Sequence, residues 1–295
     1  MENIQYYLVV FALLASFGCK PRVEEPLPAE NAPSVQETAN FTPVAAPCRI
    51  DALESCGAKI AKNDDGSVKS LDLTQVAADK LAAGIDTANG ELNALRVVRG
   101  KGELSEPLAQ SLAQSPKLTE LLWTEAVCSD KALQTLSPLA ELKKLRLSGL
   151  KTGGDTASIL ASFPAVADLD LSASTLTDAD CEKIAQMPKL VKLNLYQAPI
   201  GGEGLKNLLP LAQRLVSLNL DATKIDDTAL GALEAFSNLT FLHLGRTAIT
   251  DSAAESLAKL SKLEKLHVTR TQMTDEGIAA LKEKLPDTEI ISVAE

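Results

Sequence analysis

The two histidines of this 295-residue chain, His243 and His267, are the residues whose type most readily suggests metal chemistry. They stand 24 residues apart in the similar segments FLHLGRT and KLHVTRT, so both occupy the same position of a repeated unit. If these segments are neighbouring parallel strands, the two imidazoles lie side by side, about 4.8 Å apart. A zinc site needs further ligands, and the same position of the preceding unit offers only Asn219. We therefore predict no metal site and interpret the histidines as a solvated pair on a strand face.

Five cysteines could supply thiol chemistry. Cys128 and Cys181 align with apolar core positions of later units, and we predict that both are buried small hydrophobic residues. Cys48 and Cys56 are candidates for a disulfide in an exported protein. One helix running through both would hold their Cα atoms about 12 Å apart, which is too far for the bond. A disulfide therefore requires a helix that begins after Cys48, and the sequence leaves this open.

Catalytic motifs do not accompany these residues. The sequence contains no G-x-S-x-G segment, no glycine-rich phosphate loop and no Cys or His cluster with metal-ligand spacing. We therefore predict that the protein is not an enzyme and that it holds neither a metal nor a cofactor. The formal net charge of -10 argues against nucleic acid as a partner, because an acidic surface repels phosphates.

The elements that position these residues are units of about 24 residues that recur along most of the chain. Each opens with an L-x-x-L-x-L frame, whose alternating apolar residues predict a short strand. The frame leads into a run with helical apolar spacing. One unit cannot bury its own apolar face, so neighbouring units must stack. The frames start at Val68, Leu92, Leu118, Leu142, Val166, Leu190, Leu215, Leu239 and Leu263, and a partial tenth frame starts at Thr288.

These units, with the signature T-x-I-T-D at 247–251, resemble the leucine-rich repeats of bacterial lipoproteins, close to the cysteine-containing and ribonuclease-inhibitor-like classes. The resemblance implies an α/β leucine-rich-repeat solenoid, right-handed, with parallel strands on the concave face and helices on the convex face. The aspartates of the signature are suited to starting each helix. They are Asp178, Asp227, Asp251 and Asp275.

The first 19 residues have the pattern of an export signal. The apolar run 8–18 is too short for a membrane-spanning helix, which needs about 20 residues, and fits the core of a secretory signal peptide. Ser16, Gly18 and Cys19 resemble the cleavage site of bacterial lipoproteins, although Phe17 is bulky for that motif and no basic residue precedes the run. The resemblance implies that Cys19 carries a lipid. Plain cleavage and an uncleaved anchor are the alternatives.

Three further segments follow this signal. Residues 20–47 contain six prolines and predict a disordered tether. Residues 48–67 predict an N-terminal cap, with a helix that stops at Gly57 and the start of a hairpin that turns at Asp65-Gly66. Residues 68–295 are the repeat array with a C-terminal closing unit.

The third and fifth positions of each frame point away from the leucine core and line the concave face. In the middle of the array, charges of opposite sign alternate between neighbouring strands, and we interpret them as ion pairs that serve the fold. Towards the C-terminus, aromatic and basic residues gather, a combination typical of binding hot spots. Trp123 stands at the sixth, inward position and is predicted to be core. The predicted partner-binding residues are Tyr196, Phe241, His243, Arg246, Lys265, His267 and Arg270.

The sequence therefore predicts an exported monomer, anchored in the cell envelope by an N-terminal lipid and facing the periplasm or the cell surface. Its predicted function is to bind a protein partner that bears acidic groups through the concave face. One alternative is a structural envelope lipoprotein without a specific ligand. A minor alternative is an intracellular ubiquitin-ligase substrate receptor, although nothing in the chain resembles an F-box helix bundle.

Overall fold

The computed structural model describes residues 46–88 and 90–293. The predicted signal segment, its Cys19 and nearly all of the predicted tether lie outside these residues. Within the described part of the chain, no helix is both long enough and apolar enough to cross a membrane.

The strands form one sheet in which each strand pairs with its neighbours in sequence. The first pair is antiparallel, as predicted for the hairpin at Asp65-Gly66. All later pairs are parallel. The strands are β1 Lys59–Lys62, β2 Val68–Asp72, β3 Val97–Glu103, β4 Glu120–Val127, β5 Lys144–Leu147, β6 Asp168–Asp170, β7 Lys192–Asn194, β8 Ser217–Asn219, β9 Phe241–His243, β10 Lys265–His267 and β11 Glu289–Ile291.

Short helices alternate with the parallel strands and pack against the helices of neighbouring units. Two 3-10 helices, Leu209–Leu211 and Asp227–Ala229, accompany them. The α-helices are α1 Ile50–Ser55, α2 Ala78–Leu81, α3 Glu106–Ala113, α4 Asp130–Leu136, α5 Thr156–Ala161, α6 Asp178–Ile184, α7 Gly202–Asn207, α8 Leu230–Leu233, α9 Ala253–Leu257 and α10 Asp275–Lys284.

The core is a stack of leucine layers between the strands and the helices. Leu218 of β8 lies in register with Leu242 of β9, which lies in register with Leu266 of β10. All three side chains are fully buried. A single sheet of parallel strands alternating with helices confirms the predicted α/β solenoid.

The frame predicted at Leu92 is wrong by three residues. Val98 lies in register with Leu71 and Leu121, so the second frame starts at Leu95. Leu92 is nevertheless buried, because it precedes the strand and still packs into the core. The sequence is ambiguous here, since a start at Leu92 and a start at Leu95 both place an apolar residue, Leu95 or Val98, at the fourth position of the frame.

The corrected frame explains the environment of Trp123. Gly100 now takes the sixth position, and a Cβ placed there would lie 2.1 Å from the Trp123 ring. The indole Nε1 donates a hydrogen bond to the carbonyl oxygen of Gly102 at 2.9 Å. Trp123 is fully buried, which confirms its predicted core position. The outward positions of this unit are Val97 and Arg99.

The cysteines divide between confirmed and corrected predictions. Cys181 is fully buried as predicted, and burial raises the pKa of its thiol to about 12. Cys128 is only half-buried, because β4 continues past the predicted frame and Ala126 takes the core place. Burial still raises the pKa of the Cys128 thiol to about 11, so neither thiol is a ready nucleophile. Helix α1 begins after Cys48, but Cys48 and Cys56 are both free.

The aspartates of the I-T-D signature join successive units. Asp251 accepts hydrogen bonds from the backbone N–H and the hydroxyl of Thr274 in the next unit, both at 2.8 Å. Asp227 accepts the same two bonds from Thr250, at 2.9 and 2.6 Å. The predicted helix start holds at Asp275 and Asp178, but α9 begins two residues after Asp251. The aspartates of the signature therefore form hydrogen bonds between successive units, in addition to starting helices.

Candidate binding face

The third and fifth positions of the frames lie on the open face, which we define as the sheet surface opposite the helices. In β9 and β10 these positions hold Phe241, His243, Lys265 and His267, and all four side chains are half-buried. The parallel pairing places Phe241 beside Lys265 and His243 beside His267. The strand register thus brings together four of the residues predicted to bind a partner.

An aromatic row crosses this part of the open face. The rings of His243 and His267 stack, with centroids 4.4 Å apart and planes inclined by 14°. Phe241 packs against His267 with centroids 5.6 Å apart and planes inclined by 57°. The predicted side-by-side placement of the histidines is confirmed, but the rings pack on each other and are not fully solvated. No group of three metal-binding side chains occurs within the described residues.

The protonation state of His243 follows from its surroundings. The backbone N–H of Gly245 donates to its Nδ1 at 3.2 Å, so the neutral ring carries its proton on Nε2. Burial lowers the pKa of His243, and the nearby His267 and Arg246 lower it further. The carboxylate of Asp221, 3.8 Å from Nδ1, opposes this shift without cancelling it. His243 is therefore neutral at neutral pH.

Asp221 is a member of this site that the sequence analysis missed. Its carboxylate is almost fully buried and accepts two hydrogen bonds from Arg246, one of them from Nε at 2.9 Å. The guanidinium of Arg246 also lies 5.0 Å from the ring centroid of Tyr196. The Asp221 hydrogen bonds, followed by the contact with Tyr196, raise the pKa of Arg246 above its ordinary value. Two of the N–H donors of Arg246 are therefore already bound to Asp221 within the protein.

The loop after each strand fixes the two arginines. Arg246 and Arg270 adopt left-handed backbone conformations with φ of 54° and 55°, as does Ala222 one unit earlier. The backbone N–H of Arg246 donates to the carbonyl oxygen of Thr269 in the next unit at 2.8 Å. Gly245 is required here, because a Cβ would lie 2.7 Å from His243 and from Thr269. The missing side chain leaves the space in which Asp221 and Arg246 meet.

Two hollows open on this face. The first, which we call the arginine hollow, has a volume of about 200 Å³ and is lined by Asp221, His243, Arg246, Thr269 and Arg270. The second, which we call the lysine hollow, also has a volume of about 200 Å³. It is lined by Asp168, Lys192, Leu193, Asn194, Ser217, Asn219 and Phe241. Strand β9 thus contributes to both hollows, Phe241 to the lysine hollow and His243 to the arginine hollow.

The cations at this end of the sheet differ in how far they are already paired. Lys265 lies 3.4 Å from a carboxylate oxygen of Glu289. Arg246 is held by Asp221. Arg270 is exposed, and within the described part of the chain no ion pair or side-chain hydrogen bond engages its guanidinium. Arg270 is therefore the arginine most available to a partner.

In the middle of the array the predicted ion pairs are present. Arg146 donates from Nε to Asp170 at 2.7 Å, and Asp170 is almost fully buried. Lys144 lies 3.6 Å from Asp168. Two cross-strand pairs of the predicted set thus form, whereas Lys192, which belongs to the same alternating pattern, makes no ion pair within the described residues. That these pairs stabilise the fold stays a prediction.

Comparison with known proteins agrees with this architecture. A family model described as "Leucine Rich repeat" matches residues 237–258 and 259–282. The solved structure of internalin C2 from Listeria monocytogenes superposes with a TM-score of 0.53 at 24% sequence identity, and the match covers 74% of this chain and 91% of that one. The chain is a leucine-rich-repeat solenoid. No curated protein sequence matches it.

Two other solved structures are similar to this chain at lower TM-scores. A leucine-rich-repeat protein from Leptospira interrogans gives a TM-score of 0.49 at 18% identity, with 75% of this chain and 60% of that chain covered. The complex of PEPR1 with AtPEP1 gives 0.45 at 19% identity, with 80% of this chain and 36% of that chain covered. The match therefore spans less than two thirds of the length of either of these proteins.

Proposed function

We propose that this leucine-rich-repeat chain is an exported, membrane-tethered protein that binds a protein partner through its open face and performs no catalysis. The contact surface is the C-terminal patch, which we define as Tyr196, Phe241, His243, Arg246, Lys265, His267 and Arg270. The observation that carries this proposal is the aromatic row of Phe241, His267 and His243 beside Arg270, which has no ion-pair partner among the described residues. Partly buried aromatic rings next to arginine are a frequent source of concentrated binding energy.

The charge of the arginine hollow favours a carboxylate on the partner. Two guanidinium groups face one carboxylate there, and His243 is neutral, so the hollow carries one excess positive charge. The chain as a whole has a formal net charge of -10, so this cationic site is a local exception. Arginine can bind a carboxylate through two parallel hydrogen bonds. An acidic group of the partner therefore fits beside Arg270.

The proposed attachment to a membrane is supported by the sequence alone. The apolar run 8–18 and the Cys19 that follows it support export and lipidation. A lipid on Cys19 would hold the repeat domain in the cell envelope, facing the periplasm or the surface. The proline-rich residues 20–47 would let it search the space around its anchor.

The experiment is crosslinking in intact cells, followed by mass spectrometry and by capture with variant proteins. Phe241→Ala and Arg270→Ala should each lower capture of the crosslinked partner at least tenfold, because both remove direct contacts. Arg99→Ala is the matched control, since Arg99 is an exposed arginine on the same face in the second repeat.

Two results would contradict the proposal. Loss of the partner only with Arg99→Ala would move the contact to the N-terminal half of the array. Undiminished cellular function in a double Phe241→Ala, Arg270→Ala variant would favour a structural envelope lipoprotein without a specific ligand.

A further inference from the structure

The lysine hollow resembles the arginine hollow in one respect. Each is lined by one carboxylate that already has a cationic partner: Asp168 lies 3.6 Å from Lys144, and Asp221 is bound by Arg246. Each is also lined by a second cation, Lys192 in the lysine hollow and Arg270 in the arginine hollow. Lys192 is in register with Asp168 on the neighbouring strand.

Lys192 is the available cation of its hollow. Its side chain is exposed, and across the described residues no ion pair engages its ammonium group. Arg270 is likewise the exposed cation of the arginine hollow that has no ion pair among the described residues. Phe241 lines the lysine hollow and packs on His267, and His267 stacks on His243, which lines the arginine hollow with Arg270. A row of aromatic rings therefore runs from one hollow to the other.

We propose that the two hollows together bind one extended segment of a protein partner that carries two carboxylate side chains with an apolar side chain midway between them. This inference rests on the proposed function and specifies its ligand. One carboxylate pairs with Lys192 and the other with Arg270. The apolar side chain covers Phe241 and His267.

The strand spacing sets the distance between the two acidic residues. Lys192 on β7 is in register with Lys265 on β10, three strands away, so about 14 Å of sheet separates these two residues at ~4.8 Å per strand. Arg270 lies five residues beyond Lys265, in the loop that follows β10. An extended segment advances ~3.3 Å per residue, and alternate side chains point to the same side. Carboxylates four residues apart thus span about 13 Å and share a face with the residue midway. The long side chains of Lys192 and Arg270 cover the remaining offset along the strands.

The test uses fluorescein-labelled peptides titrated with the full chain and followed by anisotropy. The probe peptide contains Glu-Ser-Phe-Ser-Glu between Gly-Ser flanks, and the control peptide contains the same residues in the order Glu-Glu-Phe-Ser-Ser. We expect the probe peptide to bind about tenfold more tightly than the control, because only its glutamates reach both cations.

Variants of the protein test the two contacts separately. Lys192→Gln and Arg270→Gln should each weaken binding of the probe peptide about tenfold, whereas Arg99→Gln should leave it unchanged. Equal affinity for the two peptides, or no binding of the probe peptide, would overturn the inference. Sensitivity to Arg270→Gln but not to Lys192→Gln would also overturn it. The proposed function is decided separately by capture of the cellular partner with the Phe241 and Arg270 variants.

Discussion

The imidazole of His243 stacks on the imidazole of His267, with ring centroids 4.4 Å apart. The stack exists because β9 and β10 pair in parallel at these two residues. Charging one ring places a positive charge against the other ring and near Arg246 and Arg270, with Asp221 as the opposing anion. Protonation of this histidine pair therefore changes the free energy of unfolding.

Acid should destabilise the fold through His243. Its pKa in the folded protein lies below its ordinary value, about 6.5 in the unfolded chain, so the unfolded state binds the proton first. The stability contribution is complete above about pH 6.5 and is lost as the pH falls towards the lower folded pKa. Urea unfolding at pH 7 and pH 5 should show a smaller pH effect in His243→Gln than in the wild type. The same pH effect in both proteins would show that His243 is not the linked group.

The space left by Gly245 is needed for the contact between Asp221 and Arg246. In Gly245→Ala the new methyl group would overlap His243 and Thr269, and overpacking of this kind costs about 1–3 kcal/mol. Gly231→Ala is the control, because nothing lies within 4 Å of a Cβ there and Gly231 is exposed in α8. The control should be neutral or more stable by about 0.5–1 kcal/mol. Equal melting temperatures for the two variants would show that Gly245 is not constrained.

The link from Asp251 to the next unit should contribute to stability. Asp251→Ala removes two exposed hydrogen bonds from Thr274, and a typical hydrogen bond contributes about 0.5–1.5 kcal/mol, so the variant should lose about 1–3 kcal/mol in all. Asp275 takes the same position one unit later, and within the described residues its carboxylate accepts no hydrogen bond from another unit. Asp275→Ala should therefore cost less than about 1 kcal/mol in denaturant unfolding. A larger loss of stability in Asp275→Ala than in Asp251→Ala would show that these aspartates act at the starts of helices and not through the hydrogen bonds between units.

The leucine column should dominate the energetics of each strand. Leu242→Ala removes a fully buried side chain and should cost about 2–5 kcal/mol. Lys265→Ala removes a half-exposed ion pair on the neighbouring strand and should change stability by about 0.5 kcal/mol or less. Similar costs in denaturant unfolding would contradict the assignment of inward and outward positions.

Lipidation of Cys19 is open to direct labelling. A clickable fatty-acid analogue should label the wild-type protein in its native host and should not label Cys19→Ser, because the thiol is the proposed attachment site. Unchanged labelling of the variant would place the lipid on another residue. No labelling of either protein would favour a plain signal peptide or an uncleaved anchor.

The sequence predicted the solenoid because its cause is local and repeated. The L-x-L alternation around Leu218 and Leu242 sets which side chains face inward, and the 24-residue spacing sets which strands are neighbours. The same spacing placed His243 beside His267. It failed at Leu92, where two overlapping L-x-x-L frames compete and only the pairing of Val98 decides between them.

The tertiary structure decided which of these surface groups are already satisfied. Asn219 accepts the backbone N–H of Asp221 at 2.9 Å, so it shapes a turn and is not an idle surface residue. Asp221 is separated by 25 residues from Arg246, and their ion pair depends on the loop conformation after two different strands. A repeat pattern predicts whether a side chain points towards the core or away from it. It does not predict which neighbouring group the charged end of that side chain contacts. For that reason the sequence placed Arg246 and Arg270 together as partner contacts, whereas only the folded chain shows that Asp221 holds the first and leaves the second available.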